Sequence, residues 1–145
     1  MIHWEDFEVG QRMEGGSRTV SAEEIVAFAA QWDPQPFHID ESAAKASIFG
    51  GLVASGWHTA CIAMRLAVDG IVREVANLGS PGVDEIRWLV PVRPGDTLTL
   101  SVQIVEKEPS SRPDRGKVKI RHELRNQKGE VVMTMVGRGI VRRRR

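Results

Sequence analysis

Ser55-Gly56-Trp57-His58-Thr59-Ala60-Cys61-Ile62-Ala63-Met64-Arg65-Leu66-Ala67-Val68-Asp69-Gly70-Ile71 is the run whose reading decides the fold. Its periodicity predicts a long, mostly buried helix from Ser55 to about Val75, with Trp57, Ala60, Cys61, Met64, Val68 and Ile71 on one apolar face. Ala63 and Ala67 permit close approach of a neighbour, and His58, Arg65 and Asp69 fall on the opposite side. Ser55 is a good N-cap, which leaves the N–H groups of Gly56 and its successors pointing out of the positive end of the helix. Such an end suits a developing oxyanion.

Downstream the pattern changes from period 3.6 to period 2. Val83 to Val90 reads as one strand, and Pro91-Val92-Arg93-Pro94-Gly95-Asp96 as a turn. Leu98, Leu100, Val102 and Ile104 then alternate with polar neighbours, as do Val118, Ile120, His122 and Leu124. Asn126 to Glu130 makes a hairpin turn, and Val131 to Val141 gives a last strand. Upstream, Phe7 to Gln11 suggests a turn, and Arg12 to Val20 a short strand interrupted by Gly15-Gly16. Ser21 with Glu24 forms a capping-box pattern ahead of a helix whose apolar face is Ile25, Phe28, Ala29 and Trp32. The whole is a single α+β domain over residues 1–145, an antiparallel sheet wrapped on a central helix. The lack of alternating strand and helix units argues against a nucleotide-binding parallel sheet.

At 145 residues the chain buries enough surface to need neither disulfide nor metal. A net charge of +1 excludes nucleic-acid binding through bulk electrostatics. Cys61 is the lone cysteine, so no internal disulfide or cysteine-rich zinc site forms and a reducing, cytosolic setting is expected. No run of 18 apolar residues marks a membrane span, and the N-terminus has no signal-peptide pattern.

The segment Asp33-Pro34-Gln35-Pro36-Phe37-His38-Ile39-Asp40 follows the first helix directly. Two prolines stiffen it, so a carboxylate and an imidazole sit on one defined loop as a candidate acid/base pair. A plain turn with a buried histidine is the blander reading of the same residues. Asp40 reads as the N-cap of a short helix from Glu41 to Ala46, which Gly50-Gly51 terminates. His3, His58 and His122 read as structural, His122 as a core or interface residue on an apolar strand face.

Taken together, Asp33 to Asp40, Phe49-Gly50-Gly51-Leu52-Val53-Ala54-Ser55-Gly56 and Pro91 to Asp96 resemble the MaoC-like dehydratase family, which includes (R)-specific enoyl-CoA hydratases. The resemblance covers nearly the whole chain. It implies a hot-dog fold, a long helix wrapped by a curved antiparallel sheet, and a hydro-lyase that adds water reversibly to a 2-enoyl thioester. Asp33 and His38 would be the catalytic dyad and the Gly56 N–H the oxyanion donor. Coenzyme A would enter only as part of an acyl-CoA substrate, with no separate cofactor and no metal. A homodimer with its site near the subunit interface is implied, and fatty acid metabolism is the setting. Ser55, Trp57, Arg112 and Arg115 are candidate substrate contacts, the arginines because guanidinium groups pair with phosphate. Three departures bear on substrate identity: Gln35 where the family commonly has asparagine, Ser55 where a histidine often precedes the glycine, and Cys61 where a serine is thought to support the aspartate. Two rivals share the fold, a thioesterase and a non-catalytic acyl-CoA-binding protein. The first needs a base such as a helix carboxylate, and Asp69 is the only acid well inside the helix.

Overall fold

Why each element starts where it does is visible at its caps. In the computed structural model, which describes residues 1–145, α1 (Ala22–Trp32) begins at Ser21, whose hydroxyl accepts the Glu24 N–H. A one-turn α2 (Pro36–Ile39) has proline in its first turn, and α3 (Glu41–Lys45) is capped by Asp40, whose carboxylate accepts the N–H groups of Ser42 and Ala43. The central α4 (Gly56–Gly70) is capped by Ser55 and gives way to a 3₁₀ turn at Val72–Glu74.

The sheet is antiparallel and six-stranded: β1 (Arg12–Thr19), β4 (Thr97–Pro109), β5 (Arg115–Arg125) and β6 (Val131–Arg142) lie side by side in that order. Two strands share the far side of β6, a three-residue β2 (Asn77–Gly79) and β3 (Val83–Trp88). The expected third-strand run to Val90 stops at Trp88, because Leu89 and Val90 both turn their N–H groups onto the Val132 carbonyl. Leu100, Leu124 and Met133 face one another across β4, β5 and β6 and are fully buried. The irregularity expected at Gly15-Gly16 is a break in the β1–β4 register between Glu14 and Ser17.

One expectation about α4 is overturned. The buried side is His58, Thr59, Ile62, Ala63, Leu66 and Ala67, while Trp57, Cys61, Met64 and Val68 are exposed. The reason is close approach. A Cβ on Gly70 would stand 3.3 Å from the Gly15 Cα, and one on Gly16 would touch Leu66, so α4 turns its small residues to the glycine break in β1. Trp32, expected on the buried face of α1, is also exposed; only Ile25 and Ala29 of that face are buried.

The chain ends are tied together. Trp4, in a 3₁₀ turn over Trp4–Asp6, lies over Gly116, donates its indole N–H to the Lys117 carbonyl and is flanked by Lys107 and Arg143. Arg144 grips Asp6 through both guanidinium nitrogens.

Candidate active site

Asp33 stands at the end of α1 with its N–H on the Ala29 carbonyl, the last turn of the helix. His38 reaches it from α2, one residue before that short helix ends. The two side chains meet with His38 Nε2 at 3.4 Å from Asp33 Oδ2, both largely enclosed. His38 Nδ1 lies 2.6 Å from the Val53 carbonyl, an acceptor only, so Nδ1 carries the proton. In the neutral ring, Nε2 is then an acceptor that faces a carboxylate.

Two further groups fix Asp33. Gln35 donates its amide N–H to Oδ1 at 2.7 Å, and Ser55 donates its hydroxyl to Oδ2 at 2.7 Å. The Ser55 hydroxyl also accepts the Trp57 N–H at 3.3 Å, and Ser55 is fully buried. These donors hold the Asp33 carboxyl below its usual range, the Ser55 hydroxyl most, then Gln35, with His38 adding to them and burial opposing. The carboxylate is thus ionised throughout the neutral range.

His38 lines a cleft of about 300 Å³ walled by Phe37, Phe49, Val53, Thr59 and Trp88 and including Gly56, with Asp33 behind the imidazole. Gly56 starts α4 and its N–H donates to no other group of the chain. A Cβ on Gly56 would lie 2.5 Å from the Trp88 ring, so only glycine lets the indole pack on this backbone. Trp57 packs edge-to-face on Trp88, with ring centroids 5.2 Å apart, and is exposed at the cleft's outer edge.

The structure thus brings together Asp33, His38, Ser55 and Gly56, with Trp57 one residue further out. Arg112 and Arg115 lie elsewhere. Arg115 pairs with Arg142 at one end of β5, whereas Leu124, near the other end, pairs with Met133, the neighbour of Trp88; nine residues of strand separate them by roughly 30 Å. Arg115 is moreover held by Asp114 through two hydrogen bonds. The arginine beside the cleft is Arg93, which donates to the carbonyl of Phe49 at 2.7 Å.

Reading Ser55 as a substrate contact missed its contact with Asp33. The hydroxyl support thought to be lost with Cys61 is supplied from the helix cap instead, and Cys61 itself is exposed on α4's outer side. Gln35 fills the orienting role that the expected asparagine left open. No sequence signal linked Ser55 to Asp33, since they are 22 positions apart and meet only through the fold. His58 is buried and His122 half-buried, and neither contacts Asp33 or His38; His58 stacks on Phe28 with ring centroids 4.7 Å apart. No three His, Cys, Asp or Glu side chains converge as metal ligands would.

Comparisons with known proteins bear on the fold and the family. A family described as the MaoC like domain matches residues 6–126. The crystal structure of a MaoC-like dehydratase from Rhodospirillum rubrum superposes with a TM-score of 0.89 at 43% identity, over 100% of this chain and 99% of that one. A 3-hydroxybutyryl-CoA dehydratase of Methylorubrum extorquens is 29% identical across 79% of this chain and 71% of its own length. An (R)-specific enoyl-CoA hydratase of Rhodospirillum rubrum is 27% identical across 76% of this chain and 74% of its own. The fold is the hot-dog expected from the sequence.

Proposed function

We propose, for a chain that belongs to the MaoC-like domain family, that it is a hydro-lyase adding water to a 2-enoyl-CoA, or removing it from a 3-hydroxyacyl-CoA, through Asp33 and His38. The observation that carries this reading is the pairing of two proton acceptors, Asp33 Oδ2 and His38 Nε2, 3.4 Å apart, with His38 on the wall of a cleft that is also lined by Gly56.

The chemistry follows from the tautomer. With Nδ1–H given to Val53, a water in the cleft donates one proton to Nε2 and the other to the Asp33 carboxylate, and its lone pair points outward. Attack on C3 of the enoyl thioester forms the C–O bond and moves charge onto the thioester oxygen, which accepts the Gly56 N–H at the positive end of α4. His38 Nε2 takes the water's proton, and the imidazolium then delivers it to C2. Asp33, strongly held as an anion, stabilises that imidazolium and orients the water rather than carrying the proton itself. Dehydration is the same path reversed.

Arg93 is the cation placed to meet a coenzyme A phosphate, at the rim formed by Phe49. A second copy of the chain would cover the exposed stripe Trp57, Cys61, Met64 and Val68 and pair with the open edge of β3, whose one partner within the chain is β6. Light scattering should then give a dimer mass that Met64→Asp lowers to a monomer. No helix is long and apolar enough to cross a membrane, and a cytosolic setting suits a coenzyme A substrate.

The thioesterase alternative finds less support. Asp69 is tied to Arg65 and Arg73 on the outer side of α4, about 20 Å along the helix from Gly56. A spectroscopic assay separates the readings. Hydration of crotonyl-CoA removes its conjugated absorbance, whereas hydrolysis releases a free thiol. Thiol release with conjugation intact would sink the hydratase reading.

A further inference from the structure

The first turns of α4 are gripped from two sides. Successive helical residues turn by about 100°, so Gly56 and His58, two positions apart, face nearly opposite ways around the helix. On one side the Trp88 ring packs against the Gly56 backbone. On the other, His58 lies flat on Phe28 of α1, with ring centroids 4.7 Å apart and planes 8° from parallel. His58 is buried and its Nδ1 has no hydrogen-bond partner, so stacking rather than a directed bond at that nitrogen fixes the ring. Burial is the largest cause lowering its pKa, with Glu24 opposing and Arg18 adding, so at neutral pH the imidazole is an uncharged aromatic plate.

This stack joins the two elements that the reaction must keep in register. α1 ends at Asp33, about 7.5 Å of helix beyond Phe28, and α4 begins at Gly56, about 3 Å before His58. The same two elements meet again where the Ser55 hydroxyl donates to Asp33 Oδ2 at 2.7 Å. A hydrogen bond so short weakens as soon as its two ends slide apart. Flat rings packed face to face set one separation between the helices that carry them, which protects that bond. His58 touches neither Asp33 nor His38, so its part in the site is played through the helices and not through a proton.

We propose that His58, through its stack on Phe28, is a positioning residue for the hydration: it sets the spacing of α1 and α4, so that Asp33 takes the Ser55 hydroxyl while the Gly56 N–H faces the same thioester. The inference rests on the hydratase reading above. It assigns His58 a shape. Phenylalanine, with a flat ring of similar size, fills that role, whereas alanine leaves Phe28 without its facing plate and frees the first turns of α4 to move against α1.

The test has two readouts, hydration of crotonyl-CoA and the pH titration of the isotope-labelled Asp33 carboxyl by NMR. His58→Ala should lower kcat by about tenfold while KM stays within about twofold, and should raise the Asp33 pKa as the Ser55 hydrogen bond lengthens. His58→Phe should restore both. Phe28→Ala, which removes the other plate, serves as the second variant should His58→Ala fail to fold, and should reproduce its effects. The double variant should be no slower than either single one, because a stack lost from one side is lost already. An unchanged kcat or Asp33 pKa in His58→Ala, or a His58→Phe variant as slow as His58→Ala, would overturn the proposal. If the wild type itself leaves crotonyl-CoA untouched, the hydratase reading falls. An Asp33 titration that moves in His58→Ala and returns in His58→Phe then upholds the positioning of Asp33, and one that stays put overturns it as well.

Discussion

The two ends of α4 are built on opposite principles. At its N-terminus polar groups converge and hold one another, Ser55 on Asp33, Gln35 on Asp33 and His38 on Val53, with the Gly56 N–H left to donate. At its C-terminus the surroundings are apolar, space is left over, and His122 Nδ1 is buried without a partner. The difference teaches where rigidity is needed. Proton transfer requires atoms held to fractions of an ångström, and a hydrogen-bond network supplies that; an apolar seam needs shape more than direction. Substitutions at the first end should therefore strike turnover more than stability, while changes of charge or volume at the second should strike stability.

The sharpest way to break that contrast is the dyad itself. Asp33→Asn and His38→Ala should each lower kcat for crotonyl-CoA by roughly 100-fold or more with the fold retained by circular dichroism. Near-native rates in both would dissolve the proposed site. Gly56→Ala should come next, at on the order of tenfold, because its Cβ displaces Trp88 and shifts the first turn of α4. Gly56→Ala combined with Trp88→Ala should recover part of the loss, and a double variant as slow as the single one would place the defect elsewhere.

Ser55→Ala should have a smaller effect on the rate and a telling one on the Asp33 carboxyl. The Ser55 hydroxyl is the largest cause of the depressed Asp33 pKa, so its removal should raise that pKa, read by NMR from the pH titration of the isotope-labelled carboxyl. Ser55→Thr, which keeps the hydroxyl, should restore the wild-type titration; an unmoved titration in the alanine variant argues that the hydroxyl only caps the helix.

The smallest effect is on stability. Burial is the main cause that lowers the pKa of both His58 and His122. A histidine kept neutral in the fold stabilises it above the unfolded pKa, and that contribution is lost as pH falls from about 6.5 toward the depressed folded value. Replacing them as His58→Phe with His122→Leu should flatten the decline in melting temperature over that interval. An equally steep decline would assign it to other groups.

Local signals in the sequence proved readable where the physics was local. Ser21 and Asp40 cap helices that begin beside them, and the alternation from Leu98 to Ile104 and from Val118 to Leu124 marks the core face of two strands. The contact between Asp33 and His38 was legible because the two share a short proline-bounded segment. Which side of α4 faces inward was not, since both sides are apolar and the choice was made by a glycine break in β1, far earlier in the chain. Ser55 was legible as a cap and not as the partner of Asp33, because a serine's second hydrogen bond leaves no trace in periodicity. Arginine content suggested phosphate contacts at Arg112 and Arg115, but strand register puts those residues at the remote end of the sheet.

The clasp at Trp4 has a consequence for how the chain can be rewired. Arg144 donates its backbone N–H to the Glu5 carboxylate at 3.0 Å, so the first and last turns of the polypeptide are neighbours in space. A short flexible linker could join them, and new ends could be opened at the exposed Ser110 to Asp114 loop between β4 and β5, away from the cleft. Such a circular permutant would keep every strand partner, which makes the order in which the elements are threaded a free variable of this fold.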